Sequence, residues 1–369
     1  VKLKIDLNDI GINYCGSLCS SNFFTNVFPQ IHHSHKEDKW IDNSNVSLIF
    51  EDFIDRGAYG ALALCRRLTH GDSGKIVDEL VFAKIPARPF LTRDCLFWEA
   101  CIQMIVRKTL TKAGFKNGAP RVRDIFELRD GTIGYTMDII IGAKSFDVKL
   151  RDSDKNTFLQ LIIEGIFQVA SMISILQKEL GFNHRDLRAA NLLCREIEKN
   201  TPTKIIVWDE ETEVNWQPSE SFSNEKRSER KHDIEVHSNM EFTLIDFGFT
   251  SFSKYQDCDG FRLNGHVYSP IDPCPKPGRD MFMFLAFLLA EFGNKMNSEL
   301  RKYFKKWLHT SCGLELPLRI AKPGRGIYQF LRKYGLRGDK WIYFISGNVH
   351  LSQIRPTNAI KVVANLQGL

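Results

Sequence analysis

The chain reads as an α+β protein, with strands first and helices after. Three stretches carry that reading. Val81-Phe82-Ala83-Lys84-Ile85 has the composition of a short buried strand with one charge in it. Phe97 to Val106 has helical spacing, with Trp98, Ile102, Ile105 and Val106 on one apolar face. Met281 to Ala290 is a ten-residue apolar run, too short for the ~20 residues that a membrane-spanning helix needs, so it predicts a central helix buried on all sides.

Polar motifs punctuate these elements. His184-Arg185-Asp186-Leu187-Arg188-Ala189-Ala190-Asn191 is followed downstream by Asp246-Phe247-Gly248, which ends the apolar run Phe242-Thr243-Leu244-Ile245. Upstream, Ile54-Asp55-Arg56-Gly57-Ala58-Tyr59-Gly60 precedes the strand that carries Lys84. His70 to Lys75 has the residues of a hairpin turn. Gly134 to Gly142 reads as a buried strand.

In order and spelling these motifs resemble the eukaryotic-type protein kinases over residues 48–310. The resemblance implies a two-lobed fold, with a small β-rich N-lobe over 46–141 and a larger, mostly helical C-lobe over 142–369. Residues 1–45 are then an N-terminal extension. It implies ATP and Mg²⁺ as cofactors and a protein as substrate. Asp186 would orient the acceptor hydroxyl and take its proton, and Asn191 and Asp246 would hold the metal. Magnesium prefers oxygen ligands and keeps several waters, so two side chains and the nucleotide suffice. Lys84 would grip the α- and β-phosphates. Glu99, fifteen residues later, would pair with it.

Gly57 and Gly60 match two of the three glycines that let backbone amides approach phosphate, and Asp55 stands where the first would be. Met137 would stand beside the adenine, whose edge the backbone of Asp138 and Ile140 would meet. Leu62 and Ala83 would roof the adenine pocket and Leu193 would floor it. Asp280 matches an Asp that caps the backbone of the catalytic loop from the start of a buried helix.

Acceptor class divides on Arg188. Serine/threonine kinases usually carry Lys there, and the string as spelled is that of Src-type tyrosine kinases. The segment after Gly248 lacks the tyrosine-kinase pattern, and a guanidinium also clamps phosphate. Serine/threonine is the favoured expectation. Three rival roles stay open: a pseudokinase or nucleotide-binding scaffold, a small-molecule phosphotransferase of the aminoglycoside or choline kinase type, and a purely structural part. The complete set Lys84, Glu99, Asp186, Asn191 and Asp246 argues against the first. The glycine-rich loop beside both Asp motifs argues against the second.

Two further features set the chain apart within that pattern. Ser269-Pro270-Ile271-Asp272 is a degenerate closing motif, and fifty-five positions separate Asn191 from Asp246. The extra length is an insertion over 195–240, similar to divergent branches such as haspin-like and large-DNA-virus kinases. Within it, Lys204 to Trp208 suggests a strand, and the polar stretch Gln217 to His237 predicts a mobile loop. Arg301 to Trp307 reads as a basic amphipathic helix with a solvated face.

Composition bounds the rest. Net charge is +6 with mixed signs, which does not indicate nucleic-acid binding. Nine cysteines without a CxxC pair read as a reduced, intracellular protein, in the cytoplasm or nucleus, or in a host cell or virion if viral. His32, His33 and His35 form a polar loop rather than a metal site. No membrane span and no signal peptide are expected, and the oligomeric state is left open.

Overall fold

The computed structural model describes residues 39–42, 46–56, 60–70, 75–86, 95–127, 133–197, 202–208, 231–252 and 278–304. Gly57, the histidine cluster, the closing motif at 269–272 and residues 305–369 lie outside them. The protein is mixed α+β, with a strand-rich N-terminal region and helices later in the chain. Two compact units divide it. The first comprises Val1–Ala143, Glu179–Asp186 and Thr243–Pro275; the second comprises Lys144–Lys178, Leu187–Phe242 and Lys276–Leu369.

The first unit is built on a six-stranded antiparallel sheet in the order β1-β2-β3-β4-β6-β5. Its strands are β1 (Lys39–Asp42), β2 (Val46–Arg56), β3 (Gly60–His70), β4 (Ile76–Pro86), β5 (Val122–Glu127) and β6 (Ile133–Asp138). The strand around Lys84 is thus eleven residues long rather than short, and its C-terminal half alternates in burial. Register places His70 opposite Ile76, so the chain reverses across 71–75 as expected; residues 71–74 themselves lie outside the described set.

Successive side chains of a strand point to opposite faces. Ala61, Ala63, Cys65, Val81, Ala83 and Ile85 therefore share one face, where they join Leu48 and Phe126 in a buried cluster. The opposite face presents Leu62, Phe82 and Lys84, with Tyr135 directly across from Lys84 and Met137 across from Phe82. Helix α1 (Cys95–Lys112) packs on this second face through Leu96 and Ala100 against Val122, Ile125, Ile133 and Tyr135. Its burial is wider than the apolar stripe predicts. Glu99 and Gln103 are inside, whereas Trp98 is only half-buried.

Gly134 is required by a close approach. A Cβ there would lie 2.7 Å from the Phe126 ring and 3.1 Å from the carbonyl oxygen of Lys84. The chain leaves β6 through a turn in which the Ala143 N–H donates to the Ile140 carbonyl at 3.0 Å, with Gly142 at φ 75°.

The leading segment of the first unit ends at Ala143, and two later segments return to that unit. Hydrogen bonding explains the return. The Leu244 N–H donates to the Gly118 carbonyl at 2.8 Å. Strand β8 (Phe182–Asn183) pairs with β13 (Ser251–Phe252).

The second unit holds α2 (Phe146–Asp152), α3 (Lys155–Leu180, through Lys178) and α4 (Arg279–Phe292). It also holds a sheet in the order β12-β9-β7, from Met240–Leu244 (through Phe242), Leu192–Glu196 and Lys144–Ser145. The Asp154 carboxylate starts α3, accepting the N–H groups of Asn156 and Thr157 at 2.9 Å each. Among the described residues α3 is the one helix long and apolar enough to cross a membrane by length and composition, and 78% of its most apolar window is buried inside the protein. A reading centred on 281–290 overlooks this longer core helix. The run 281–290 itself lies in α4, where every residue from Arg279 to Ala290 is buried.

The insertion is more ordered than a polar loop. Strand β10 (Pro202–Trp208) pairs antiparallel with β11 (Lys231–His237), from Pro202 opposite His237 to Trp208 opposite Lys231. The strand expected at Lys204–Trp208 is present. The end of the expected mobile loop is its partner, because seven backbone pairs offset the ordering cost that side-chain polarity alone predicts to be unmet. Residues 209–230 lie outside the described set.

Candidate functional site

The site is assembled in the first unit from four segments distant in sequence. Strand β4 aims Lys84 toward α1, where Nζ donates to Glu99 Oε1 at 2.6 Å. The same ammonium donates to Asp246 Oδ1 at 3.0 Å, across 162 positions of chain. Tyr135, facing Lys84 from β6, donates its hydroxyl to Glu99 Oε1 at 3.2 Å.

The electrostatics follow from burial and pairing. Burial pushes the Lys84 ammonium toward neutrality, but Glu99 and Asp246 outweigh it and hold its pKa well above the usual lysine range. For Glu99, burial pushes the carboxyl up and Lys84 pulls it back down. Tyr135 is raised well above the ordinary phenol by burial and then by Glu99, so it is a hydrogen-bond donor at any physiological pH. Asp246 differs from Glu99. Its side chain is 41% exposed against 4% for Glu99, so it meets Lys84 and solvent together.

Backbone strain marks the same motifs. Arg185 at φ 67° and Asp246 at φ 64° are the non-glycine residues with positive φ among the described residues. Such conformations persist where surrounding contacts over-determine them. His184 supplies one, since its Nε2 lies 3.1 Å from the Ile245 carbonyl oxygen. A carbonyl only accepts, so Nε2 carries the proton. The His184 ring also packs on Phe247, with centroids 5.4 Å apart. His184 is thus held at two points, Ile245 and Phe247, against the segment that bears Asp246.

Other predicted residues are placed as follows. Asp186 is half-buried in the first unit, two residues beyond fully buried His184. Gly60 and Leu62 share the Lys84 face, and Leu62 is directly across from Lys84. Ala83 does not. Strand alternation turns it into the cluster with Val81 and Ile85, so the residue beside Lys84 on the site face is Phe82. Met137 is half-buried on the site face. The Asp138 N–H donates to the Arg121 carbonyl at 2.8 Å, so that N–H is already taken. The Ile140 carbonyl accepts from Ala143, which leaves its N–H.

Arg188, Asn191 and Leu193 belong to the second unit. Asn191 ends a short 3-10 turn at Ala189–Asn191 that α4 abuts, and it is 5% exposed. Leu193 pairs with Ser145 in the β7–β9 ladder. Asp280 is fully buried in the first turn of α4. Within the first unit, Asp246 offers a hard oxygen donor whose 41% exposure leaves room for a hydrated cation of the Mg²⁺ kind.

The motifs alone do not point to Tyr135 and Gln103. One signal was available: Gln103 lies one helical turn after Glu99, on the same face of α1. Tyr135 becomes visible only with the β4–β6 register.

No family model matches the chain, and no curated protein matches it.

Proposed function

We propose that the chain is an ATP- and Mg²⁺-dependent protein kinase with the two-lobed fold of that family, acting on serine or threonine hydroxyls. One observation carries the reading: a buried lysine whose ammonium is shared between a helix carboxylate and the Asp of the D-F-G turn. A core gains nothing from burying Glu99 beside Lys84, because desolvation of the charges offsets their attraction. A site that must present positive charge to a triphosphate has a use for it.

In this reading Lys84 holds the α- and β-phosphates, and Glu99 fixes its position. Asp186 orients the substrate hydroxyl and accepts its proton. The hydroxyl oxygen then bonds the γ-phosphorus as the bond to the β–γ bridging oxygen breaks, releasing ADP. Mg²⁺ held by Asp246 and Asn191 would supply positive charge against the phosphate oxygens. Phe82 and Leu62 face the adenine, with the Asp138 carbonyl and Ile140 N–H at its edge. Asp55, which stands in place of a glycine, turns its Oδ1 to the N–H of Arg56 at 2.7 Å, so part of its charge is spent on its own backbone.

The test is incubation with γ-labelled ATP and Mg²⁺, against a panel of proteins and a panel of small alcohols and amines, followed by phosphoamino-acid analysis. Label on serine or threonine is the expected result. Label on tyrosine overturns the acceptor class, label on small molecules alone overturns the substrate class, and ATP binding without transfer makes the chain a nucleotide-binding scaffold.

A further inference from the structure

Glu99 is almost wholly inside the protein, at 3% exposure, and a carboxylate there needs hydrogen bonds beyond a single lysine. Its surroundings supply them from named elements. Lys84 approaches from β4 and Tyr135 from β6. Gly248, from the D-F-G turn, is the third neighbour. A Cβ on it would lie 3.6 Å from Glu99 Oε2, so the backbone of that turn passes close to the second oxygen. Asp246 is the other charge in the cluster and binds the same ammonium.

Behind Glu99 lies a second polar side chain. Gln103 is 1% exposed, and Tyr135 is 1% exposed. Gln103 Oε1, a second acceptor, lies 3.4 Å from the Tyr135 hydroxyl, whose one proton goes to the nearer Glu99 Oε1, so Gln103 acts through its amide N–H. Its Nε2 donates to the Pro120 carbonyl at 3.0 Å and reaches Met137 Sδ at 3.6 Å. Gln103 thus ties the turn of α1 that carries Glu99 to the entry of β5 and to β6. These polar atoms sit in an otherwise apolar contact of α1 with Ile125, Ile133 and Val122. Leucine and phenylalanine would fill the same volumes without needing partners.

We infer that Tyr135 and Gln103 are positioning residues that hold the Glu99 carboxylate against Lys84, so that the phosphate-binding ammonium is assembled before nucleotide arrives. The role of that ammonium toward phosphate rests on the kinase reading, but the hold itself does not. The phenol proton is the element that matters: it lies on the Glu99 oxygen that also receives Lys84. Removing it takes one of the two donors from that oxygen and leaves Lys84 alone to orient the carboxylate.

The experiment reads the contact itself. Crystal structures of the nucleotide-free full chain, as wild type, Tyr135→Phe and Gln103→Leu, give the Lys84 Nζ–Glu99 distance, with thermal melting reporting the fold. Tyr135→Phe should lose the contact, lengthening it from 2.6 Å to beyond hydrogen-bond reach. Gln103→Leu should keep the fold and shift the turn of α1 that carries Glu99. A contact unchanged from wild type in Tyr135→Phe overturns the inference. Should Tyr135→Phe not fold, an unmoved Glu99 in Gln103→Leu overturns it.

ATP turnover is measured in parallel. If wild type transfers phosphate, Tyr135→Phe should raise KM for ATP more than it lowers kcat. If wild type transfers none, the kinase reading fails while the Lys84–Glu99 distance still judges the positioning role.

Discussion

Gly60 stands over the side chain of Lys84: a Cβ built on Gly60 would lie 2.7 Å from Lys84 Cε and 3.2 Å from Cγ. A lysine normally yields to such an intrusion, but this one is pinned at its tip by Glu99 and Asp246. Gly60→Ala should therefore push Lys84 off its rotamer, at a cost of about 0.5–1.5 kcal/mol. That corresponds to roughly a two- to tenfold rise in KM for ATP. Thermal melting should change little. A KM within error of wild type would show that Lys84 has room to move and that the glycine serves only the turn.

Asp186→Asn keeps the shape of the side chain and removes the proton acceptor. ATP binding should persist, because Asp186 meets the acceptor and not the nucleotide. Transfer should fall by about 10²–10⁴, the usual worth of a positioned general base. Equal turnover in the variant and wild type would remove Asp186 from the mechanism.

Lys84→Met and Asp246→Asn should each abolish measurable transfer, the second with a loss of Mg²⁺ dependence. Glu99→Gln should show a milder form of the Lys84 defect, since Lys84 keeps Asp246. Calorimetric titration with ATP, with and without Mg²⁺, separates the two causes. A structure with an ATP analogue in which Lys84 lies far from every phosphate would contradict the assignment.

The insertion should tolerate cutting only between its strands. Replacing 209–230 by a short Gly/Ser linker joins Trp208 to Lys231, which already face each other in register. The melting transition should survive, because loop closure depends weakly on length. A deletion that extends through Lys231–His237 removes β11 and undercuts Ser238. The Ser238 hydroxyl lies 2.6 Å from Glu164 Oε2, and its Oγ accepts from Gln168 Nε2 at 2.8 Å. That deletion should lower the melting temperature, which differential scanning calorimetry would measure. Equal melting of both deletions would show that the hairpin root contributes nothing.

Two thiols give a pH test. Burial pushes Cys65 up to about 12 and Cys194 up to about 11, from an ordinary 9.0. Both should resist iodoacetamide at pH 8 in the folded chain and react on denaturation. The unfolded thiols ionise near 9.0 while the folded ones keep their protons. The stability that depends on them is present below pH 9 and is lost as pH rises toward 11–12. Denaturant midpoints at pH 8 and pH 10 should fall in Cys65-containing protein and fall less in Cys65→Ala. The same drop in both would assign the loss to other groups.

What could be read from the chain alone was what short-range patterns encode. Composition around Val81–Ile85, helical spacing near Glu99 and the apolar run from Met281 gave element types and order. The motif strings singled out Lys84, Glu99 and Asp246 as a set, and their side chains do meet. Three things were decided by tertiary structure. Strand parity sent Ala83 into the core and brought Phe82 to the site, because a one-residue step reverses the face of a strand. Pairing turned the end of a polar stretch into β11, since backbone hydrogen bonds are blind to side-chain polarity. The Tyr135–Gln103 support appeared only with the β4–β6 register and the docking of α1, because buried polar groups take their partners from whatever elements the fold brings beside them.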